Sequence, residues 1–205
     1  MSLFPIFVKL KDRLVIVIGG GLVAERKIPA LLSRGARVRI IAPDVTQTIA
    51  GWNKQQKVEW QAKTFEPGDL AGAFLVIAAT SAPGVNEAVY CEADRLSILC
   101  NAVDDIQHCH FYYASVVQRG DLQIAISTNG KSPALAQRLR KELEAQFGPE
   151  YEQWLEWLGT ARELLRADCG DQDATSLLLH HLASRPMFER FFRQARHEQP
   201  EQGIA

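Results

Sequence analysis

Residues 14–27 read LVIVIGGGLVAERK, and the reading of this stretch decides the fold. Five consecutive apolar residues, Leu14 to Ile18, suit a strand buried on both faces of a parallel sheet. Three glycines end that run, and the pattern Gly19-x-Gly21-x-x-Ala24 opens a helix. Between a strand and a helix this spacing has a mechanism for holding a dinucleotide. One glycine makes the turn, the next lets backbone approach a pyrophosphate, and a small third residue allows close helix packing, while the helix N-terminus offers N–H donors. The bland alternative is a glycine turn with no ligand. Asp44, 20 positions after Ala24, falls at the end of the next strand, where a carboxylate accepts hydrogen bonds from adenosine-ribose hydroxyls. It would repel a 2′-phosphate, so NAD is expected rather than NADP, although Arg37 and Arg39 pull the other way. A loop-capping aspartate is the structural alternative.

Outward from this stretch the chain alternates strand and helix. Strand-like runs at 37–42, 57–65, 74–80 and 97–103 are interleaved with helical patterns at 24–33 and 83–95. This order predicts an α/β class fold, with an N-terminal Rossmann-like, doubly wound parallel sheet and right-handed crossovers. After Phe111 the pattern changes. LQIAIS at 122–127 reads as a strand, and 133–147 as an amphipathic helix with Leu135, Leu139, Leu143 and Phe147 in one row. Beyond it the chain reads as helical, through Tyr151, Trp154, Leu155 and Leu158, then 177–182 and 187–192, to a polar tail from His197 expected to fray. The expected divisions are a Rossmann-like domain over 1–113, a central segment over 114–147 and a helical C-terminal domain over 148–205.

Composition narrows the class. The 205 residues are 47% hydrophobic and 23% charged with a formal net charge of −1, which describes a folding chain with no global attraction for nucleic acid or an anionic membrane. LVIVI is too short for a secretory signal and no run approaches a membrane span, so a soluble, cytoplasmic protein is expected. The four cysteines form no C-x-x-C pair, which favours reduced thiols over disulfides or structural zinc. With so small a net charge any anionic ligand must be held locally; the basic excess lies in residues 1–147 and the acidic one in 148–205, a division compatible with an anionic ligand in the first stretch.

Three further places carry chemistry. Thr80 and Ser81 end a strand at the sheet edge where this fold binds its ligand; either contacts the cofactor, or Ser81 caps the helix that Pro83 begins. Asp104 and Asp105 follow the fifth strand, where a carboxylate can take a proton as hydride leaves to a nicotinamide; solvated acids at a strand end are the alternative. His108 and His110 share one side of an extended segment, but two ligands make a poor metal site, and no metal is expected. Finally Ser127, Thr128, Asn129, Gly130 and Lys131 precede Ser132-Pro133, a natural N-cap and first helical residue, so a hydroxyl-rich loop ends at an anion-favouring helix N-terminus.

Taken together, GGGLVAERK, NAVDD followed by Cys109-x-Phe111, and STNGKSPALA, with Leu3-Phe4-Pro5-Ile6-Phe7 at the start, resemble the precorrin-2 dehydrogenase/sirohydrochlorin ferrochelatase family of sirohaem biosynthesis over residues 1–200. The resemblance implies NAD-dependent oxidation of precorrin-2 to sirohydrochlorin and, in bifunctional members, insertion of Fe2+ as a substrate. It further implies a homodimer with 114–147 as the dimerisation segment, a catalytic aspartate at Asp104, and cofactor contacts at Leu22, Val23, Pro43 and Asp44. A serine that is phosphorylated in some members falls on Ser127 or Thr128. The loop Ser127–Lys131 is expected to bind the acidic tetrapyrrole. The family often has prolines where this chain has Ile106 and Tyr113. No methyltransferase region accompanies these motifs, so methylation of the tetrapyrrole precursor is not expected. The sequence leaves open whether iron insertion occurs. It also leaves a non-catalytic, NAD-binding redox-sensing regulator as an alternative, and another small NAD-dependent dehydrogenase as a second.

Overall fold

Val15 and Val17 point to one face of a sheet and Ile16 and Ile18 to the other, and all four are buried, as two-sided burial requires. A computed structural model describes residues 3–168 and 171–197. The described residues divide into two compact units, Phe4–Tyr113 and those from Ala114 onward, the latter joined by Leu3.

The first unit is built on β1 (Leu14–Ile18), β2 (Arg37–Ile41), β3 (Glu59–Gln61), β4 (Leu75–Ala78) and β5 (Leu99–Ala102). Every pairing is parallel and the strand order is β3-β2-β1-β4-β5. Connections therefore run outward in both directions from β1, and the gap between the ends of β1 and β4 is the switch point where such sheets take ligands. Helices α1 (Leu22–Leu32) and α2 (Gln47–Lys54) contribute Ile28 and Ile49 to the core on one face, with Val15, Val38 and Ile40. The opposite face packs Ile16, Ile18, Ile41 and Val76 against Val89 of α3 (Pro83–Arg95) and Leu70 of the β3–β4 connection. Truncating any one of these fully buried isoleucines to alanine should cost about 2–5 kcal/mol.

In this unit the strands expected at 37–42, 74–80 and 97–103 appear with trimmed ends, and α1 starts two residues before the helix expected at 24–33. The strand expected over 57–65 is reduced to Glu59–Gln61, because beyond Gln61 the chain folds into a turn in which Lys63 pairs with Glu66 and Asp69. Helix α2 was not anticipated; Thr46 caps it by accepting from the Ile49 N–H at 3.3 Å.

The second unit begins with β6 (Ser115–Arg119) and β7 (Leu122–Ile126), an antiparallel hairpin around Gly120-Asp121 with Gly120 at φ 53°. Only its second strand was expected. α4 (Pro133–Gln146) and α5 (Glu150–Asp168) pack on the hairpin, and α6 (Gln172–Leu182) and α7 (Arg185–His197) pack on α5. Arg119 of β6 ends α4: its guanidinium donates to the carbonyls of Phe147 at 2.9 Å and Glu144 at 3.0 Å, which have no partner within the helix. The α4 row of Leu135, Leu139, Leu143 and Phe147 is only half covered. In the helical part, Trp154 stacks on Trp157 with centroids 5.1 Å apart and meets Phe188 and Phe191 edge-on. Most of the tail from His197, expected to fray, lies outside the described residues, as do Cys169 and Gly170 of the break before α6. No helix among the described residues is long and apolar enough to cross a membrane.

Candidate active site

The three glycines after β1 have different tasks. Gly19 has φ 110°, and a Cβ there would lie 2.4 Å from the Ala79 carbonyl oxygen, so its backbone closes directly on the end of β4. A Cβ on Gly20 would lie 2.2 Å from the Asp44 carbonyl oxygen, so this residue seats the β2–α2 turn. Gly21 is the opposite case: a Cβ would meet nothing within 4 Å. It is the N-cap of α1 with no side-chain cap, which leaves the first N–H groups of the helix, those of Leu22 and Val23 among them, without a side-chain acceptor. Open space over uncapped N–H groups fits a pyrophosphate. The close approach at Gly20 was not assigned by the motif, whose spacing skips that position.

Asp44 and Pro43 are exposed beside this turn. Because Thr46 caps α2, the Asp44 carboxylate has no capping task, and it accepts no hydrogen bond among the described residues. Arg39 and Arg37, the candidates for a 2′-phosphate, are engaged elsewhere. Arg39 Nε lies 2.9 Å from Glu59 Oε2, and Arg37 Nε donates to the Asp12 carbonyl at 3.2 Å.

Thr80 reaches the same edge, with its Cγ2 3.3 Å from where a Gly19 Cβ would be, but its hydroxyl is spent in a local turn. It donates to Asn86 Oδ1 at 2.8 Å and accepts from the Ala82 N–H at 3.2 Å. Asn86 is buried and donates back to the Thr80 carbonyl at 3.1 Å. Ser81 does not cap α3; Ala82 holds the N-cap position and makes no side-chain bond.

Past β5 the two adjacent acids part company. Asp104 is exposed at φ 63°, a left-handed conformation that aspartate tolerates better than most residues, and its carboxylate makes no hydrogen bond among the described residues. Asp105 instead meets His108 Nδ1 at 2.6 Å; that bond, with the charge of the imidazole, holds its carboxyl below the ordinary range against a smaller opposing effect of burial. The histidines do not converge on a metal. His110 Nδ1 accepts from the Cys100 N–H at 3.1 Å, its Nε2 faces Asp94 at 3.2 Å, and both imidazoles pack on the Tyr90 ring. Among the described residues no three His, Cys, Asp or Glu side chains gather as a metal-ligand set. The segment after Asp105 returns along β5, where Asn101 donates to the Phe111 carbonyl at 2.9 Å. Burial pushes the Cys100 thiol up to about 12, which makes it an inert core residue.

One residue here escaped the sequence reading. Lys27, on the second turn of α1, holds its Nζ 3.9 Å from the centroid of the Tyr113 ring. Burial pushes its pKa below the ordinary lysine value, the Asp104 charge opposes that, and Arg26 adds to it. It lies inside the quoted GGGLVAERK, but nothing local singles it out.

The loop Ser127–Lys131 lies in the second unit. Ser132 caps α4 as expected, accepting from the Leu135 N–H at 3.2 Å. Thr128 is half-buried, and its hydroxyl is bound to both the N–H and the carbonyl of Ser132, at 3.2 and 3.1 Å. Ser127 is exposed and accepts from the Asn129 N–H at 3.1 Å, so of this pair it has the more accessible hydroxyl. Asn129 and Gly130 take positive φ, and Lys131 is exposed without an ion pair among the described residues.

The chain is similar in sequence and in fold to proteins of sirohaem biosynthesis. A family model described as "Putative NAD(P)-binding" matches residues 6–115, and one described as "Sirohaem biosynthesis protein central" matches residues 119–146. A siroheme synthase of Photorhabdus laumondii is 45% identical over 145 residues, covering 71% of this chain and 31% of that protein. Siroheme synthase 1 of Pectobacterium atrosepticum is 39% identical over 193 residues, covering 94% and 38%. The chain thus spans about a third of the length of these curated relatives. A solved structure titled "SirC, precorrin-2 dehydrogenase" superposes with a TM-score of 0.78 at 27% identity, covering 95% of this chain and 100% of that one. With the matched model spanning more than half its length, the chain belongs to the NAD(P)-binding family so described, and its residues 119–146 match the sirohaem-biosynthesis central segment.

Proposed function

We propose that this chain oxidises precorrin-2 to sirohydrochlorin with NAD as acceptor. The observation that carries the reading is the unpartnered Asp104 carboxylate at the end of β5, next in the sheet to β4, whose end packs on Gly19 of the open glycine turn. Removing two hydrogens from the macrocycle releases one hydride and one proton. NAD, when bound, supplies the hydride acceptor. The chain's own residues do the rest: the N–H groups after Gly21 hold the pyrophosphate, Asp44 accepts from ribose hydroxyls, and Asp104 takes the proton. The engagement of Arg37 and Arg39 elsewhere supports NAD over NADP.

A homodimer completes the proposal. A two-stranded ribbon is marginal alone, and among the described residues β6 and β7 each leave an outer edge unpaired, with Val116 exposed on the ribbon. The Ser127–Lys131 loop, with an exposed ammonium and hydroxyl, is suited to carboxylates of the substrate.

Anaerobic incubation of the purified chain with NAD+ and precorrin-2, following NADH, tests the reading; NADH formation is expected. Binding of NAD+ without turnover would favour the redox-sensing regulator, and absence of NAD+ binding would overturn both. Supplying Fe2+ and sirohydrochlorin in a second arm separates iron insertion, for which Asp104 is the available base.

A further inference from the structure

We propose that Lys27 is the anchor for a carboxylate of the acidic substrate beside Asp104, an inference that rests on the dehydrogenase reading above. Three observations carry it. The ammonium is half-buried, it sits on the face of the Tyr113 ring, and among the described residues it closes no ion pair, although the Asp104 charge reaches it. A cation partly withdrawn from water and left without a counter-ion is an incomplete interaction that an arriving anion completes. Its lowered pKa, caused first by burial, expresses the same deficit.

The chemistry calls for such a group. A catalytic carboxylate repels a substrate that bears carboxylates of its own, and the repulsion is greatest where the reacting carbon must approach the base. An ammonium that the Asp104 charge reaches offsets it there. The Tyr113 ring fixes the Nζ by a cation–π contact without neutralising it, as a carboxylate partner would. Cα27 is carried on the helix that begins at Gly21, so the cofactor turn and the anchor share one rigid element.

The test compares Lys27→Met, Lys27→Gln and Lys27→Arg with the wild-type chain. Met keeps the apolar stem and removes the charge, and Gln guards against a packing artefact. For both, the KM for precorrin-2 should rise roughly 10- to 100-fold with kcat within a few-fold, and binding of sirohydrochlorin without NAD, read by quenching of protein fluorescence, should weaken by a similar factor. NAD+ affinity by calorimetry should not change, and Lys27→Arg should recover most of the loss. Wild-type KM and sirohydrochlorin affinity in folded Lys27→Met and Lys27→Gln would overturn the anchor alone. A fall in kcat at unchanged KM would overturn it too, making Lys27 a positioning residue for Asp104. A wild-type chain that neither oxidises precorrin-2 nor binds sirohydrochlorin would overturn the dehydrogenase reading and the anchor with it.

Discussion

His108 Nδ1 lies 2.6 Å from Asp105 Oδ2, and this contact sets Asp105 apart from the neighbouring Asp104. Asp105 is committed to its neighbour while Asp104 faces out uncommitted. Asp104→Asn should therefore lower precorrin-2 turnover by roughly 100-fold or more, with NAD+ affinity retained, and Asp105→Asn should stay within a few-fold. The Asp105 pair also has a pH signature. Its carboxyl pKa is lower in the folded state than in the unfolded chain, so the stabilisation is present above the ordinary carboxylate range and is lost as pH falls through the folded value. Thermal midpoints of wild type and Asp105→Asn should differ near neutral pH and converge in acid.

Replacing neighbouring glycines should give opposite phenotypes. Gly20→Ala drives a Cβ into the Asp44 carbonyl and should lower the melting temperature markedly, whereas Gly21→Ala fills open space and should leave it nearly unchanged. Calorimetric titration should show NAD+ affinity lost in Gly21→Ala and more completely in Gly21→Asp. Unchanged affinity in Gly21→Asp would remove the pyrophosphate from this turn.

In the proposed reading, cofactor choice rests on Asp44. Asp44→Ala should weaken NAD+ by about tenfold, less than Gly21→Asp does, and narrow the gap between NAD+ and NADP+. Freeing Arg39 by Glu59→Gln in the same background should improve NADP+ further; steady-state ratios of kcat/KM for the two cofactors report both effects.

Much of the first unit was legible because Leu14–Ile18, Arg37–Ile41 and Leu75–Ala78 carry their burial in local sequence and Gly19–Gly21 punctuate it. The misses share a physical cause. α2 buries only Ile49 and contains Gly51, and β6 buries only Val117, so neither shows a period strong enough to read; the Gly120-Asp121 turn between two apolar runs was the signal that would have revealed the hairpin. At the site, the motif placed Gly19 and Gly21 at the turn after β1 and the resemblance singled out Asp104; the pairing of Asp105 with His108, three residues on, has no sequence signature, and the setting of Lys27 against Tyr113 depends on a contact that the fold makes between distant segments.

The Ser127–Lys131 loop, proposed to meet the substrate, makes a separate prediction. Ser127→Asp places a carboxylate in the position with the more accessible hydroxyl and should weaken sirohydrochlorin binding and slow oxidation, with NAD+ affinity unchanged. Thr128→Asp should instead cost stability, because it breaks both bonds to Ser132. If Ser127→Asp left both rates and binding untouched, the loop would be a helix cap and nothing more.

For the dimer, Val116→Lys puts a charge on the exposed face of the hairpin and should yield a monomer by light scattering at micromolar concentration. A wild-type chain that is itself monomeric there would contradict the proposed assembly.

The aromatic content of the two units gives the chain an internal optical label. Trp52 and Trp60 belong to the sheet unit, and Trp154 and Trp157 form a stacked pair in the helical one, with planes 15° apart. Coupled indoles give a near-ultraviolet dichroism that disappears when their stacking does. A chain carrying Trp52→Phe and Trp60→Phe emits only from the helical unit, and the converse pair only from the sheet. One melt of each thus reveals whether the units come apart together or in sequence, and so whether a single unfolding free energy describes this protein at all.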